Sequence, residues 1–149
     1  MSQPQAALSV DFEHFTHLPA YRGARGSTDR PAVGLGGVTA LLDALEERDA
    51  AATFFTVGEI ADEHPRVVER ITAEGHEVAS HTYTHRHLSE LDESERRDEL
   101  ARSKARLEAV AGEPVTGFRA PSFDTGPDHF GTLAEAGYGV AESDLREYF

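Results

Sequence analysis

Cysteine is absent from the 149 residues. Without thiols the chain has neither disulfides nor thiolate ligands, so any metal must be held by imidazoles and carboxylates. Positive charge is nearly as scarce. Lys104 is the only lysine, and 14 Lys plus Arg stand against 27 Asp plus Glu, for a net charge of -13. Phosphate backbones are bound through clustered basic side chains, which excludes nucleic acid as a partner. A scattered acidic coat favours solubility, as halophilic proteins use it. Long hydrophobic runs are missing too. No stretch approaches the ~18 apolar residues of a membrane span, and Met1 to Ala7 lacks the basic start and apolar core of a signal peptide. A soluble, cytoplasmic chain is the expectation.

What is present alternates between strand-like and helix-like segments. Ala7 to Asp11 reads as a first strand. Residues 17–37 hold Pro19, Gly23, Gly26, Pro31, Gly34, Gly36 and Gly37, which predicts an extended connection. Val38, Leu41, Leu42 and Leu45 then recur at helical spacing. Ala52 to Val57 is an apolar second strand ended by Gly58, and a helix follows with Pro65 in its first turn and Gly75 beyond its end. His76 to Ser80 is a third strand. Leu91, Asp92 and Glu95 form a staple and capping box for a helix that turns Leu100, Ser103, Leu107 and Val110 inward. Gly112 and Pro114 stop it. Val115 to Arg119 is a fourth strand, Pro127 to Ala136 a helix, and Tyr138 to Ala141 a fifth strand. The pattern predicts one α/β domain over residues 1–149, whole or partial, with about five parallel strands and flanking helices.

In such folds active sites gather at the carboxyl ends of the strands. Asp11 and Glu13 follow strand one, His81 and His85 follow strand three, and Arg119 to Asp124 follow strand four. Two histidines four residues apart can grip one metal ion, and the carboxylates on the same rim supply a third ligand. The zinc-peptidase arrangement, with a Glu after the first His on a helix, does not fit, since Thr82 stands there and the pair follows a strand. The bland alternative is two hydrogen-bonded histidines. His87 reads as a loop residue or a support for the site, and Tyr83 as pocket wall or packing.

Ser9-Val10-Asp11-Phe12-Glu13, Thr53-Phe54-Phe55, Gly75 to His85 and Phe118-Arg119-Ala120-Pro121-Ser122-Phe123 together resemble the motifs of the polysaccharide deacetylases, carbohydrate esterase family 4, the NodB-homology domain. The resemblance implies an incomplete or distorted (β/α) barrel and a hydrolase that removes N-acetyl groups from an amino-sugar polysaccharide. It implies Asp11 as general base and Glu13, His81 and His85 as metal ligands. Phe12 stands where many members carry the metal-binding carboxylate, and Glu13 matches a variant with the acidic residue two positions on. Arg119 would pair with Asp11 and hold it ionised and oriented. The backbone N–H of Ser122 would donate to the oxyanion, and Phe123 would wall the pocket. A divalent metal polarises an amide carbonyl and makes water more acidic, so a nearby carboxylate can act as base. Zinc is the first expectation, with cobalt, manganese or nickel as alternatives.

The family's general acid lies on a later Leu-x-His segment, and none occurs after the fourth strand. His129 reads as a capping or solvent-facing residue. About 149 residues also fall short of the ~200 to 250 of a full barrel. The expectation is a C-terminally truncated or split protein, a compact open variant, or an oligomer or partner segment that covers an open sheet edge. The substrate reading is an N-acetylated polysaccharide or oligosaccharide. The alternatives are an inactive metal- and carbohydrate-binding remnant and a hydrolase of a small amide or cyclic imide.

Overall fold

Short runs of β-branched and aromatic residues put a parallel sheet at the centre of the molecule. The computed structural model describes residues 6–22 and 31–139. In it β1 (Ser9–Phe12), β2 (Thr53–Thr56) and β3 (Glu77–Ser80) pair in the order β1-β2-β3. Both pairings are parallel, with Phe12 opposite Thr56 and Thr56 opposite Ser80. Parallel neighbours need crossovers, and helices supply them. After the single turn α1 (Pro19–Arg22), α2 (Pro31–Glu46) returns the chain to β2, and α3 (Gly58–Glu63) with α4 (Pro65–Ala73) return it to β3. Then come α5 (Glu93–Ala111) and α6 (His129–Glu135). This is the α/β architecture that the alternation implied.

The core forms where the inward faces of these elements meet. Phe54 of β2, Leu42 of α2, Ile60 of α3, Val68 and Ile71 of α4, and Leu100 and Leu107 of α5 are fully buried in one cluster. Each such side chain contributes roughly 1.5–3 kcal/mol by leaving water. The helix ends follow their sequence signals. Asp92 accepts from the Glu95 N–H at 2.8 Å while Glu95 accepts from the Asp92 N–H at 3.0 Å, and Gly112 ends α5 at φ +73°. Gly75 follows α4 at φ +85°.

Three expectations change. The expected connection over 17–37 already contains α1 and the first two turns of α2. Proline suits a first helical position, and the face formed by Val38, Leu42 and Leu45 offsets the glycine cost of about 1 kcal/mol each. Gly34 has a further reason, because a Cβ there would lie 3.1 Å from His14 Nδ1. Secondly, Val115 to Arg119 is no full strand; it touches β3 through a single parallel bridge between Ser80 and Phe118. The sheet among the described residues therefore has three strands, where about five were expected. Thirdly, Val140 and Ala141 of the fifth expected strand lie outside the described residues, as do residues 23–30 of the loop. Tyr138 and Gly139 are not strand, although Gly139 N–H donates to the Thr116 carbonyl at 3.0 Å. No helix of the described residues is long and apolar enough to cross a membrane.

Candidate metal centre

Because β1 and β3 run in the same direction with matched register, Glu13 and His81 are each the first residue past the paired ends. The geometry that follows is tight. His81 Nδ1 lies 2.7 Å from the Arg119 carbonyl. A carbonyl only accepts, so Nδ1 carries the proton and Nε2 keeps its lone pair. That Nε2 is 3.8 Å from Glu13 Oε2 and 4.0 Å from Asp11 Oδ2. His85 Nε2 meets the same Glu13 oxygen, in a contact without hydrogen-bond geometry, and that buried oxygen has no hydrogen-bond partner.

A carboxylate oxygen and an imidazole lone pair repel unless a proton or a cation lies between them. Glu13, His81 and His85 offer ligand atoms all within 4.8 Å of one another, which fits one divalent ion in a His-His-carboxylate set. Burial pushes the His81 imidazole below its ordinary pKa, against the opposing pull of the Arg119 carbonyl and Asp11. The ring is therefore neutral at neutral pH, the form a metal requires. Its Nδ1–H on a backbone carbonyl is the support that metal-ligating histidines commonly have.

Asp11 stands beside this group under the control of Arg119. Arg119 Nη1 donates to Asp11 Oδ1 at 2.5 Å, and Nη2 donates to Ser9 Oγ at 2.9 Å. The guanidinium also lies 4.0 Å from the centroid of the Phe55 ring. The bridge to β3 puts Arg119 there: Ser80 N–H donates to the Gly117 carbonyl and Arg119 N–H to the Ser80 carbonyl, at 2.9 and 3.0 Å. A four-residue strand was unnecessary. Two hydrogen bonds suffice to aim the side chain.

The histidine-bearing turn is held from behind. Thr82 and His85 have φ of 62° and 61°, a backbone region unfavourable for side-chain-bearing residues. Glu99 of α5, only 7% exposed, offsets that cost by accepting from the Tyr83 and Thr84 N–H groups at 2.9 Å each and from Thr84 Oγ1 at 2.6 Å. Ser103 Oγ donates to the Thr82 carbonyl at 3.0 Å. Gly58 and Glu59 donate their N–H groups to the Thr82 and Tyr83 carbonyls, both at 3.0 Å. Only glycine fits at 58, since a Cβ there would lie 2.5 Å from Tyr83 Cδ2.

The remaining candidates divide. Ser122 lies on the same rim at φ 54°, but its side chain joins His87, with Oγ 3.1 Å from Nε2. Phe123 is 77% exposed, with its ring centroid 5.9 Å from the Arg119 guanidinium. Tyr83 is packing: its hydroxyl donates to Asp62, and Arg102 covers its ring at 3.8 Å. His129 is half-buried beside Phe118, where burial lowers its pKa, so it is neither cap nor solvent-facing. Sequence reasoning missed Glu99, which no motif marks. It also missed His14, His17 and His64, whose only signal is the count of eight histidines in a short chain.

A family model for polysaccharide deacetylases matches residues 31–141. The chain belongs to this family. It is 37% identical over 81 residues to a peptidoglycan-N-acetylglucosamine deacetylase of Bacillus cereus, covering 54% of this chain and 30% of that protein. A candidate polysaccharide deacetylase from Mycobacterium smegmatis superposes with a TM-score of 0.77 at 34% identity, over 93% of this chain and 52% of that one. A carbohydrate esterase family 4 pseudoenzyme from Bacillus anthracis superposes with a TM-score of 0.61 at 31% identity, over 66% of this chain and 34% of that one. The chain thus spans about a third to a half of the length of the curated relatives that it matches first. Deacetylases of this family use a divalent metal.

Proposed function

We propose that the protein is a divalent-metal-dependent hydrolase that removes acetyl groups from N-acetylglucosamine units of a polysaccharide or oligosaccharide. The observation that carries this reading is the meeting of Glu13, His81 and His85 with the Asp11–Arg119 pair at one edge of the sheet. Two imidazoles and a carboxylate, in a chain without cysteine, suit zinc first among the divalent metals. When bound, the ion supplies Lewis acidity that polarises the amide carbonyl and acidifies water. Asp11 takes the proton from the attacking water and returns it to the amine nitrogen as the C–N bond breaks. Arg119 holds that carboxylate turned toward the site, and the Arg119 carbonyl fixes the His81 tautomer. Ser122, through its backbone N–H, is assigned to the developing oxyanion.

The test is acetate release from an N-acetylglucosamine oligomer by protein loaded with zinc or cobalt. Asp11→Asn is expected to lower the rate by about 10²–10⁴, the usual weight of a general base, while metal stays bound. No acetate at any metal load sinks the reading. The similarity to a pseudoenzyme favours one alternative, a metal- and carbohydrate-binding protein without turnover. Calorimetric binding of the oligomer together with a silent acetate assay would select it.

A further inference from the structure

Beyond the centre on Glu13, the rings of His85, His17, His14 and His64 continue in contact, with centroids 6.3, 5.4 and 5.4 Å apart in turn. The run ends on a second group of donors. His14, Glu63 and His64 offer ligand atoms all within 4.8 Å of one another, and the His64 and Glu63 donors are 3.9 Å apart. We infer that His14, Glu63 and His64 form a second binding site for a divalent transition ion of the zinc type, separate from the centre on Glu13.

Three observations carry it. The donor set is two imidazoles and one carboxylate, the composition that binds zinc without thiolates. The residues come from segments distant in sequence but fixed in space. His14 follows β1, is 3% exposed, and is backed by Gly34 of α2, where a Cβ would crowd its ring at 3.1 Å. His64 is the junction between α3 and α4, tied by its N–H to the Ile60 carbonyl at 2.7 Å. Glu63 and Glu59, the latter 3.4 Å from His17 Nε2, also line a cavity of about 360 Å³ with Thr16, Thr84 and Arg86. That cavity gives the Glu63 side of the group an open approach from solvent, so an ion can enter and keep solvent ligands. An ion there would tie the loop after β1 to the α3–α4 junction.

The experiment is a zinc count per chain after chelator stripping, reconstitution and gel filtration. Wild type is expected to hold two ions. Glu63→Ala and His64→Ala are each expected to lose one while keeping acetate release, whereas His85→Ala loses the other. Glu63 is a surface side chain, so its variant folds even if that of His64 does not. Glu63→Ala with the wild-type zinc count overturns the inference. A wild-type count of one that Glu63→Ala abolishes and His85→Ala leaves intact supports this site and defeats the proposed deacetylase centre instead. A wild-type chain that takes up no zinc overturns both.

Discussion

The two loops that build the candidate centre are held in different ways. The turn from His81 to His85 is anchored by two helices, through the carboxylate of Glu99, the hydroxyl of Ser103 and the N–H groups of Gly58 and Glu59. The segment after β1 carries a local turn, in which His17 N–H donates to the His14 carbonyl, His14 N–H donates to His17 Nδ1 and the two rings stack, and it meets the rest of the fold through its imidazoles, His14 against His64 and His17 against His85 and Glu59. One side of the centre is therefore held by hydrogen bonds from two helices, and the other by a local turn and ring contacts. Strain at Thr82 and His85 is tolerated on the anchored side only because the surrounding bonds over-determine it.

Perturbations should separate the two sides. His85→Ala has the largest expected effect. It removes a proposed ligand and a ring that is 3% exposed, so the ion of the Glu13 centre is lost and urea unfolding shows a stability loss on the order of 2 kcal/mol. Glu13→Gln removes the proposed ligand from the other loop, and it should empty the same centre while metal-free stability moves by about 0.5 kcal/mol or less. Equal destabilisation by the two variants would erase the contrast.

Glu99→Ala touches no ligand yet leaves two N–H groups and a hydroxyl without their acceptor. A loss of about 2–3 kcal/mol is expected by urea unfolding, with metal affinity falling roughly 10–100-fold as the turn loosens. Arg119→Lys keeps the charge but not the fork on Asp11 and Ser9, so the rate of acetate release should fall about tenfold with unchanged metal content.

Acid should act on the anchored side with the smallest effect. The Tyr83 hydroxyl, more than the opposing burial, holds the Asp62 carboxyl below its ordinary 3.8, and the Lys104 ammonium holds Glu108 below 4.5. The unfolded chain binds those protons more readily than the folded one. Their stabilisation is complete above about pH 4.5 and drains away as pH falls through the lowered folded values. Tyr83→Phe should flatten the Asp62 share of that loss in acid titrations followed by circular dichroism.

The legibility of these features in the sequence follows the range of the forces that set them. β2, β3, the capping box at Asp92 and the stops at Gly75 and Gly112 depend on neighbouring residues, and each was readable. The start of α2 was not, because its glycines argue locally for a loop while Val38, Leu42 and Leu45 are rewarded only by distant packing. The fourth strand failed for the opposite reason, since apolar composition at 115–119 cannot reveal that only Phe118 finds a strand partner. At the site, the motif spacing marked Asp11, Glu13, His81, His85 and Arg119. Glu99 escaped because a buried carboxylate on a helix resembles any solvated one until its acceptor role is seen in three dimensions.

The most direct measurement is anomalous diffraction at the zinc edge from zinc-loaded crystals. A peak about 2.0–2.2 Å from a Glu13 carboxylate oxygen, His81 Nε2 and His85 Nε2, with Asp11 outside that distance and still bonded to Arg119, is the predicted result. Zinc-loaded crystals with no peak among those three side chains would contradict it.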